Sequence, residues 1–185
     1  VLLILIGMFI LSSCDQQEKK PENDIIIYGD YKCPYYKKVE EEIMPKLKKE
    51  YIDTDKAKFK FVNMAFLGKD SIKGSRAGHA VQNVAPKQYL EFQNKIYSKQ
   101  PNHEGRWITN SLLDKEISSL NISDEKKEKI KKSYKSKNSQ SWKDAAKDIK
   151  LAKEKGVEEV PEVYINNKQI NDTYNIKEYE KLLEK

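Results

Sequence analysis

A single cysteine stands where a strand-like segment passes into a helix, and this placement constrains the chain more than any other feature. Cys33 follows the apolar run at residues 25–28 and comes directly before Pro34, which is tolerated in the first turn of a helix. A continuous apolar run is typical of a strand buried on both faces. Unpaired N–H groups at a helix start favour a thiolate, so we expect an acidic, nucleophilic thiol. The spacing is that of a redox Cys-x-x-Cys motif, except that Tyr36 holds the second position.

The other cysteine, Cys14, follows a hydrophobic N-terminal segment. Residues 1–10 are almost wholly apolar, and residues 11–13 lead through two serines to Cys14. This pattern predicts a signal peptide with a lipoprotein-type cleavage site over residues 1–14, with the lipid carried by Cys14. About 13 apolar residues are too few to span a bilayer of roughly 30 Å. A slowly cleaved signal anchor is the alternative. The chain opens on Val1 with no basic residue before the apolar run, which indicates that its start is missing.

Charge and polarity then predict where the protein acts. Residues 15–23 are polar and predict a tether to the folded part. We expect a lipid-anchored protein on the outer face of the cytoplasmic membrane, where disulfides persist. The net charge of +6 comes from 35 basic and 29 acidic residues, and only Arg76 and Arg106 are arginines. Nucleic-acid sites usually cluster arginine with aromatic residues, so we expect no nucleic-acid partner. The net positive charge suits an anionic membrane surface or cell wall.

The first folded stretch reads as strand, helix, strand. An apolar stripe at Val39, Ile43, Leu47 and Tyr51 predicts a helix after Cys33, which Pro45 should kink or divide. Alternating residues 56–64 predict a half-buried second strand.

From residue 68 to residue 156 the sequence shows helical periodicity and no strand signal. Ser123 is a good N-cap, and Gly156 is a good helix stop. The predicted helices cover residues 71–84, 87–99, 107–120, 123–134 and 141–156. The chain then returns to a strand at 160–165, a tight turn at 166–167, a short strand at 168–170 and a closing helix at 176–183.

This order predicts an α/β fold: a thioredoxin-like βαβ–ββα domain interrupted by an all-helical insert. The thioredoxin-like domain comprises residues 24–67 and 157–185, and the insert comprises residues 68–156. The cysteine motif falls at the first strand–helix turn, as in thioredoxins.

The chain resembles the DsbA family of thiol–disulfide oxidoreductases, in particular the lipoprotein members of Gram-positive bacteria. The resemblance covers nearly everything after the tether. It is carried by four segments: Tyr-Gly-Asp-Tyr-Lys-Cys-Pro-Tyr at 28–35, Phe-Leu-Gly-Lys-Asp-Ser-Ile at 66–72, Gly-Ser-Arg-Ala at 74–77 and Val-Pro at 160–161.

The resemblance implies roles for particular residues. In this family the first motif cysteine attacks or receives substrate sulfur, the second resolves the mixed disulfide, and a cis-proline loop packs beside them. Cys33 matches the first role, and Val160 and Pro161 match the loop. Pro34, Tyr35 and Tyr36 complete the motif, with Tyr36 where the resolving cysteine would stand.

Without a second sulfur, Cys33 has no intramolecular disulfide to donate, but its thiolate can still attack a substrate disulfide. The expected partners are secreted or unfolded polypeptides, and a substrate thiol, a small thiol or a partner protein must resolve the adduct. Alternatively, Cys33 is inert in a fold now used for chaperone-like peptide binding, or Tyr36 is a sequencing or allelic change. On the first hypothesis Tyr36→Cys creates dithiol oxidase activity if the rest of the site survives. The sequence leaves enzymatic activity undecided.

Other chemistry has little support. His79 and His103 have no partners at metal-ligand spacing, so we expect neither a metal nor a cofactor. Residues 40–42 are three glutamates and predict a solvated helix face; the alternative is that one of them tunes the thiolate. The ring of Tyr36 would lie near the helix start, where it could cover the sulfur.

Overall fold

The sheet is the frame that positions Cys33. A computed structural model describes residues 23–103 and 105–184. The predicted signal peptide, Cys14 and residues 15–22 of the predicted tether lie outside the described residues. Four strands form one sheet in the order β2-β1-β3-β4. The strands are β1 Asn23–Gly29, β2 Ala57–Asn63, β3 Glu162–Ile165 and β4 Lys168–Gln169.

Strand β1 lies in the middle of the sheet. It pairs in parallel with β2 and antiparallel with β3, and β3 pairs antiparallel with β4. Ile25 and Ile27 are fully buried, as the continuous apolar run predicts. The strand begins at Asn23, the last residue of the predicted tether, and ends at Gly29 just before the cysteine motif.

The helix after Cys33 is divided as Pro45 predicts. Helix α1 spans Pro34–Glu42, α2 spans Met44–Leu47, and a π-helical turn continues over Lys48–Ile52. A proline inside a helix lacks the N–H that the preceding turn requires, and the break falls in the residues around it. The apolar stripe still faces the core on both sides of the break.

Five α-helices lie between β2 and β3, in the order and nearly at the bounds predicted. They are α3 Ser71–Val84, α4 Tyr89–Ser98, α5 Asn110–Ser118, α6 Asp124–Lys135 and α7 Gln140–Glu154. The predicted starts of three helices are shifted. A 3-10 turn over Pro86–Gln88 precedes α4, the hydroxyl of Thr109 caps α5 by accepting the N–H of Leu112, and Ser139 caps α7 in the same way.

Helix α3 joins this helical block to the motif. The ring of Tyr31 packs so closely against α3 that a Cβ at Gly78 would lie 2.5 Å from its hydroxyl oxygen. Glycine is therefore required there for the two elements to touch. On the other side of α3, His79 contacts Asp148 of α7 at 2.8 Å, and Asp148 also accepts the backbone N–H of Asn63 at the end of β2.

The last segment restores the sheet and covers it. The peptide bond between Val160 and Pro161 is cis, and β3 follows it directly. Asn166 and Asn167 both have positive φ, which suits the predicted tight turn into β4. Helix α8 spans Ile176–Leu183 and closes the fold. In the described part of the chain, every helix is too short or too polar to traverse a bilayer.

Candidate active site

The sulfur of Cys33 lies at the start of α1 beside the cis-proline loop. Cys33 is the N-cap residue, and its Sγ accepts the backbone N–H of Tyr36 at 3.3 Å. On its other side, Sγ lies 3.5 Å from the carbonyl oxygen of Val160, to which the thiol donates. The structure therefore brings Cys33, at the start of α1, beside the loop of Val160 and Pro161, although Cys33 and Val160 lie 127 residues apart in the chain.

The thiol is not acidic, which corrects the prediction from its helix-start position. Burial raises the pKa of the Cys33 thiol, and the backbone N–H groups of Tyr36 and Tyr35 oppose that rise only in part. The negative charge of Asp30 raises the pKa further. Cys33 is only 1% exposed, so the loss of water around the thiolate outweighs the positive end of the helix.

Asp30 fixes the loop that carries the motif. Its buried carboxylate accepts the backbone N–H groups of Lys32, Phe66 and Leu67 at 2.8–2.9 Å, and the hydroxyl of Ser71 donates to it. The backbone carbonyl of Asp30 accepts the N–H of Cys33. One carboxylate thus ties the motif loop to the segment after β2 and to the first residue of α3. Asp30 stands in the sequence motif at 28–35, but nothing in the sequence alone assigns it a role.

The ring of Tyr36 points into the core. The side chain is fully buried. Its ring contacts those of Phe61 and Tyr97, each with a centroid separation of 4.9 Å. Its hydroxyl accepts from Gln93 Nε2 at 2.7 Å and donates to Glu40 Oε2 at 3.3 Å. The residue at the second motif position is therefore built into the interior.

The burial of Glu40 corrects part of the predicted solvated face. The three glutamates at 40–42 predict a solvated face, but Glu40 is only 3% exposed and lies beneath Tyr36. Burial raises the pKa of its carboxyl to about 7, although hydrogen bonds from Tyr36 and Asn94 act in the opposite direction. Because Tyr36 and Glu40 are one helical turn apart, the i, i+4 spacing is the sequence signal that could have linked them.

Apolar and aromatic side chains stand exposed on the segments that form the site. Tyr35 is 66% exposed on the first turn of α1, and Phe66 and Leu67 are exposed on the segment bound to Asp30. The hydroxyl of Tyr174 donates to the backbone carbonyl of Tyr35, and Lys38 Nζ lies 4.2 Å from the centre of the Tyr174 ring. Such surface suits contact with apolar side chains of another polypeptide.

The chemistry available here is that of one thiol. Cys33 is the free cysteine among the described residues, and Tyr36 offers no sulfur to pair with it. Across residues 23–103 and 105–184, no three His, Cys, Asp or Glu side chains come together in an arrangement that could hold a metal ion. The site can form and exchange one disulfide with another molecule.

The fold and the site together define a thioredoxin-like protein with a helical insert. The family model described as Thioredoxin matches residues 18–185. Disulfide bond formation protein D of Bacillus subtilis is 33% identical over 162 residues, covering 87% of this chain and 71% of that protein. The probable disulfide bond formation protein D of Bacillus anthracis is 34% identical over 156 residues, covering 82% and 68%.

Solved structures with a similar fold come from the same group of proteins. The crystal structure of oxidised BdbD from Bacillus subtilis matches with a TM-score of 0.78 and 30% identity, covering 91% of this chain and 88% of that one. Chlamydia trachomatis DsbA matches in fold with a TM-score of 0.71 at 18% identity, covering 90% and 87%. The chain belongs to the DsbA-like family of thioredoxin-fold proteins. Its similarity to disulfide bond formation proteins supports thiol–disulfide exchange as its class of chemistry.

The raised thiol pKa predicts a steep pH dependence of Cys33 reactivity. Only the thiolate reacts with iodoacetamide, so the alkylation rate of Cys33 should rise about tenfold per pH unit from neutral pH, with an inflection above the ordinary thiol pKa of 9.0. Quench-flow alkylation followed by peptide mass spectrometry measures this rate separately from that of Cys14. A plateau already reached at neutral pH would contradict the account.

The buried hydroxyl of Tyr36 predicts a graded loss of stability. Tyr36→Phe leaves Gln93 and Glu40 without their shared partner and should cost about 1–3 kcal/mol of unfolding free energy. Tyr36→Cys also empties the space of the ring and should cost about 3–5 kcal/mol. Urea unfolding at neutral pH measures both. Tyr35→Cys, at the exposed neighbouring position, is the matched control and should cost under about 1 kcal/mol. Equal stability of Tyr36→Cys and wild type would refute this packing role.

Glu40 predicts a stability that falls as pH rises. The pKa of Glu40 in the folded state is about 7, above the ordinary 4.5, so the folded state holds the proton more tightly than the unfolded state. The stability that this proton binding contributes is therefore lost as the pH rises from 4.5 through 7. Glu40→Gln keeps an acceptor for Tyr36 but cannot ionise. Between pH 4.5 and pH 8, the unfolding free energy of the wild type should fall by about 3 kcal/mol more than that of this variant, as measured by urea unfolding. Parallel pH profiles for the two proteins would disprove the assignment.

Proposed function

We propose that the protein carries out thiol–disulfide exchange on exported polypeptides through Cys33 alone, without a resolving cysteine. One observation carries the proposal: the Cys33 sulfur is held between the first turn of α1 and the carbonyl of Val160 in the cis-proline loop. Val160 and Pro161 are half-buried rather than fully buried, so a chain in extended form can approach the sulfur beside this loop.

The exchange step balances with one protein thiol. The Cys33 thiolate attacks a substrate disulfide R–S–S–R′, a Cys33–S–S–R bond forms, and R′–S⁻ leaves and takes up the proton that Cys33 released. If the R′ thiolate or another thiol of the same substrate then attacks the adduct, the substrate disulfide is remade and nothing is oxidised or reduced overall. If a small thiol attacks the Cys33 sulfur, the R thiolate leaves, and a second small thiol then frees Cys33, so the substrate disulfide is reduced and the two small thiols are joined in a disulfide. A partner protein with two thiols supplies both in the same way.

The exposed residues around the site support a partner that is at least partly unfolded. Tyr35, Phe66 and Leu67 offer apolar surface on the segments next to Cys33. Folded proteins bury most of their large apolar side chains, whereas folding intermediates expose them. The raised pKa keeps Cys33 mostly protonated at neutral pH, so attack is slow and the adduct, once formed, has no internal thiol to release it.

The proposal includes the location and the division of the chain. Residues 1–14 act as a signal peptide with a lipobox, Cys14 carries the lipid, and residues 15–23 tether the protein to the outer face of the cytoplasmic membrane. Residues 24–67 and 157–185 form the thioredoxin-like domain, and residues 68–156 form the insert. The apolar run before Cys14 and the polar run after it support this arrangement.

A second candidate is redox-inactive peptide binding or chaperone-like binding on the same scaffold. The low exposure and raised pKa of Cys33 favour it over fast chemistry. Binding would use the cis-proline loop and the exposed aromatic surface, and would not need the sulfur. Cys33→Ser separates the two candidates, because it removes exchange and leaves the binding surface unchanged.

The proposed exchange predicts long-lived mixed disulfides. Incubation of the full chain with a scrambled, disulfide-containing protein should give an adduct on non-reducing gels that dithiothreitol releases. The adduct should be absent for Cys33→Ser and present for Cys14→Ser, the matched control that removes the other cysteine. Because no second cysteine of the described residues lies beside Cys33, added glutathione should speed release and shorten the half-life of the adduct.

Two results would contradict the proposed exchange. If Cys33→Ser forms as much adduct as the wild type, the sulfur of Cys33 is not the nucleophile. If no variant forms an adduct while all bind unfolded protein equally, peptide binding replaces exchange as the function.

A further inference from the structure

The net charge of the protein is concentrated on two neighbouring helices. Residues 124–155, which comprise α6, its turn and α7, contain twelve lysines and six carboxylates. Their net charge of +6 equals that of the full chain, so the remaining residues sum to zero. We call this segment the α6–α7 pair. A uniform lysine-rich surface would not concentrate charge in this way.

The inner face of the α6–α7 pair is committed to the fold. Ile130 and Tyr134 of α6 and Ala145 and Ala152 of α7 are buried, and both helices pack against α3. Trp142 donates its indole N–H to the carbonyl of Tyr134 at 2.7 Å, which ties the two helices together. The lysines therefore extend from the opposite, solvent-facing side of a fixed element.

Ion pairs within the α6–α7 pair leave a large excess of positive charge. Its acidic residues are largely engaged, as in the pairs Lys127–Asp124, Lys131–Glu128, Lys147–Asp144 and Lys150–Glu154. Several lysines are exposed and enter no ion pair within residues 23–103 and 105–184: Lys126, Lys129, Lys132, Lys137, Lys143, Lys153 and Lys155. This group is the outer lysine face. Its charge is available to a partner.

An apolar side chain stands among these lysines. Ile149 is 40% exposed on α7, next to Lys150 in sequence and four residues before Lys153. Exposed Ala146 lies one turn before it. A helix that places lysines around a small apolar area matches a lipid surface, because the lysine heads reach phosphates while the apolar group enters the boundary below them.

We propose that the outer lysine face binds the anionic phospholipid headgroups of a membrane. Lysine is a compact point charge that needs no fixed acceptor geometry, which suits a fluid array of phosphates. A nucleic acid fits less well, because residues 124–155 contain no arginine and their aromatic residues are engaged: Tyr134 is buried, and Arg76 stacks on Trp142 at 3.3 Å. The proposal does not depend on the chemistry of Cys33.

The test measures lysine protection in the full chain bound to vesicles. Vesicles of phosphatidylcholine alone are compared with an equal mixture of phosphatidylcholine and phosphatidylglycerol, and lysines are acetylated and quantified by peptide mass spectrometry. Each lysine held near an anionic surface gains about 1 kcal/mol, which corresponds to about a fivefold slower reaction. We expect that slowing at Lys129, Lys143 and Lys153 on the anionic vesicles, and its loss at high salt. Lys168 and Lys177, exposed elsewhere, should not change.

Two triple variants make the test specific. Lys126, Lys129 and Lys143 replaced by Gln should abolish the protection of Lys153, whereas Lys49, Lys168 and Lys177 replaced by Gln should preserve it. Equal acetylation on both kinds of vesicle would overturn the proposal. Protection by a soluble phosphate polymer but not by anionic vesicles would also overturn it, in favour of a polymer partner.

The outcome is independent of the proposed exchange activity and anchor. Cys33→Ser should retain the protection, so loss of exchange leaves the membrane proposal intact. Failure of the full chain to float with phosphatidylcholine vesicles would refute the anchor alone, since protection on anionic vesicles is measured separately.

Discussion

Tyr36 holds the site together in two ways. Its backbone N–H donates to the sulfur of Cys33, and its hydroxyl joins Gln93 to Glu40 in the core beneath. The residue at the position of the resolving cysteine, Tyr36, therefore helps to hold the sulfur of Cys33 in place. The chemistry left to the protein follows from this constraint: the sulfur is oriented, shielded and without a companion.

This packing argues against Tyr36 as an accidental change in an ordinary dithiol protein. A tyrosine placed by chance in a core built for cysteine would overfill it and leave a buried hydroxyl without partners, which costs several kcal/mol. Here the ring lies against Phe61 and Tyr97, and the hydroxyl has both a donor and an acceptor. The surroundings fit the tyrosine. Restoring the cysteine alone would leave Gln93 and Glu40 unmatched.

Much of the fold could be predicted from the sequence because its signals are local. The apolar run of β1, the break at Pro45, the N-cap Ser123 and the asparagines of the β3–β4 turn each specify their own structure within a few residues. The resemblance to DsbA-like proteins placed Cys33 beside Pro161, which no local signal could do. The site was harder, because its properties come from burial. The helix start alone predicts an acidic thiol, and the charges of residues 40–42 predict a solvated face. The tertiary structure excludes water from Cys33 and Glu40 and reverses both expectations there, while Glu41 and Glu42 are exposed as predicted.

The proposed exchange needs only the sulfur of Cys33, because a thiol of the substrate can remake the substrate disulfide that Cys33 has broken. The most direct measurement is the recovery of activity by a scrambled two-disulfide enzyme mixed with the full chain in the absence of any small thiol, with its disulfides counted before and after. The account predicts slow recovery that depends on Cys33, with the number of substrate disulfides unchanged at the end. Recovery no faster with the wild type than with Cys33→Ser would contradict it.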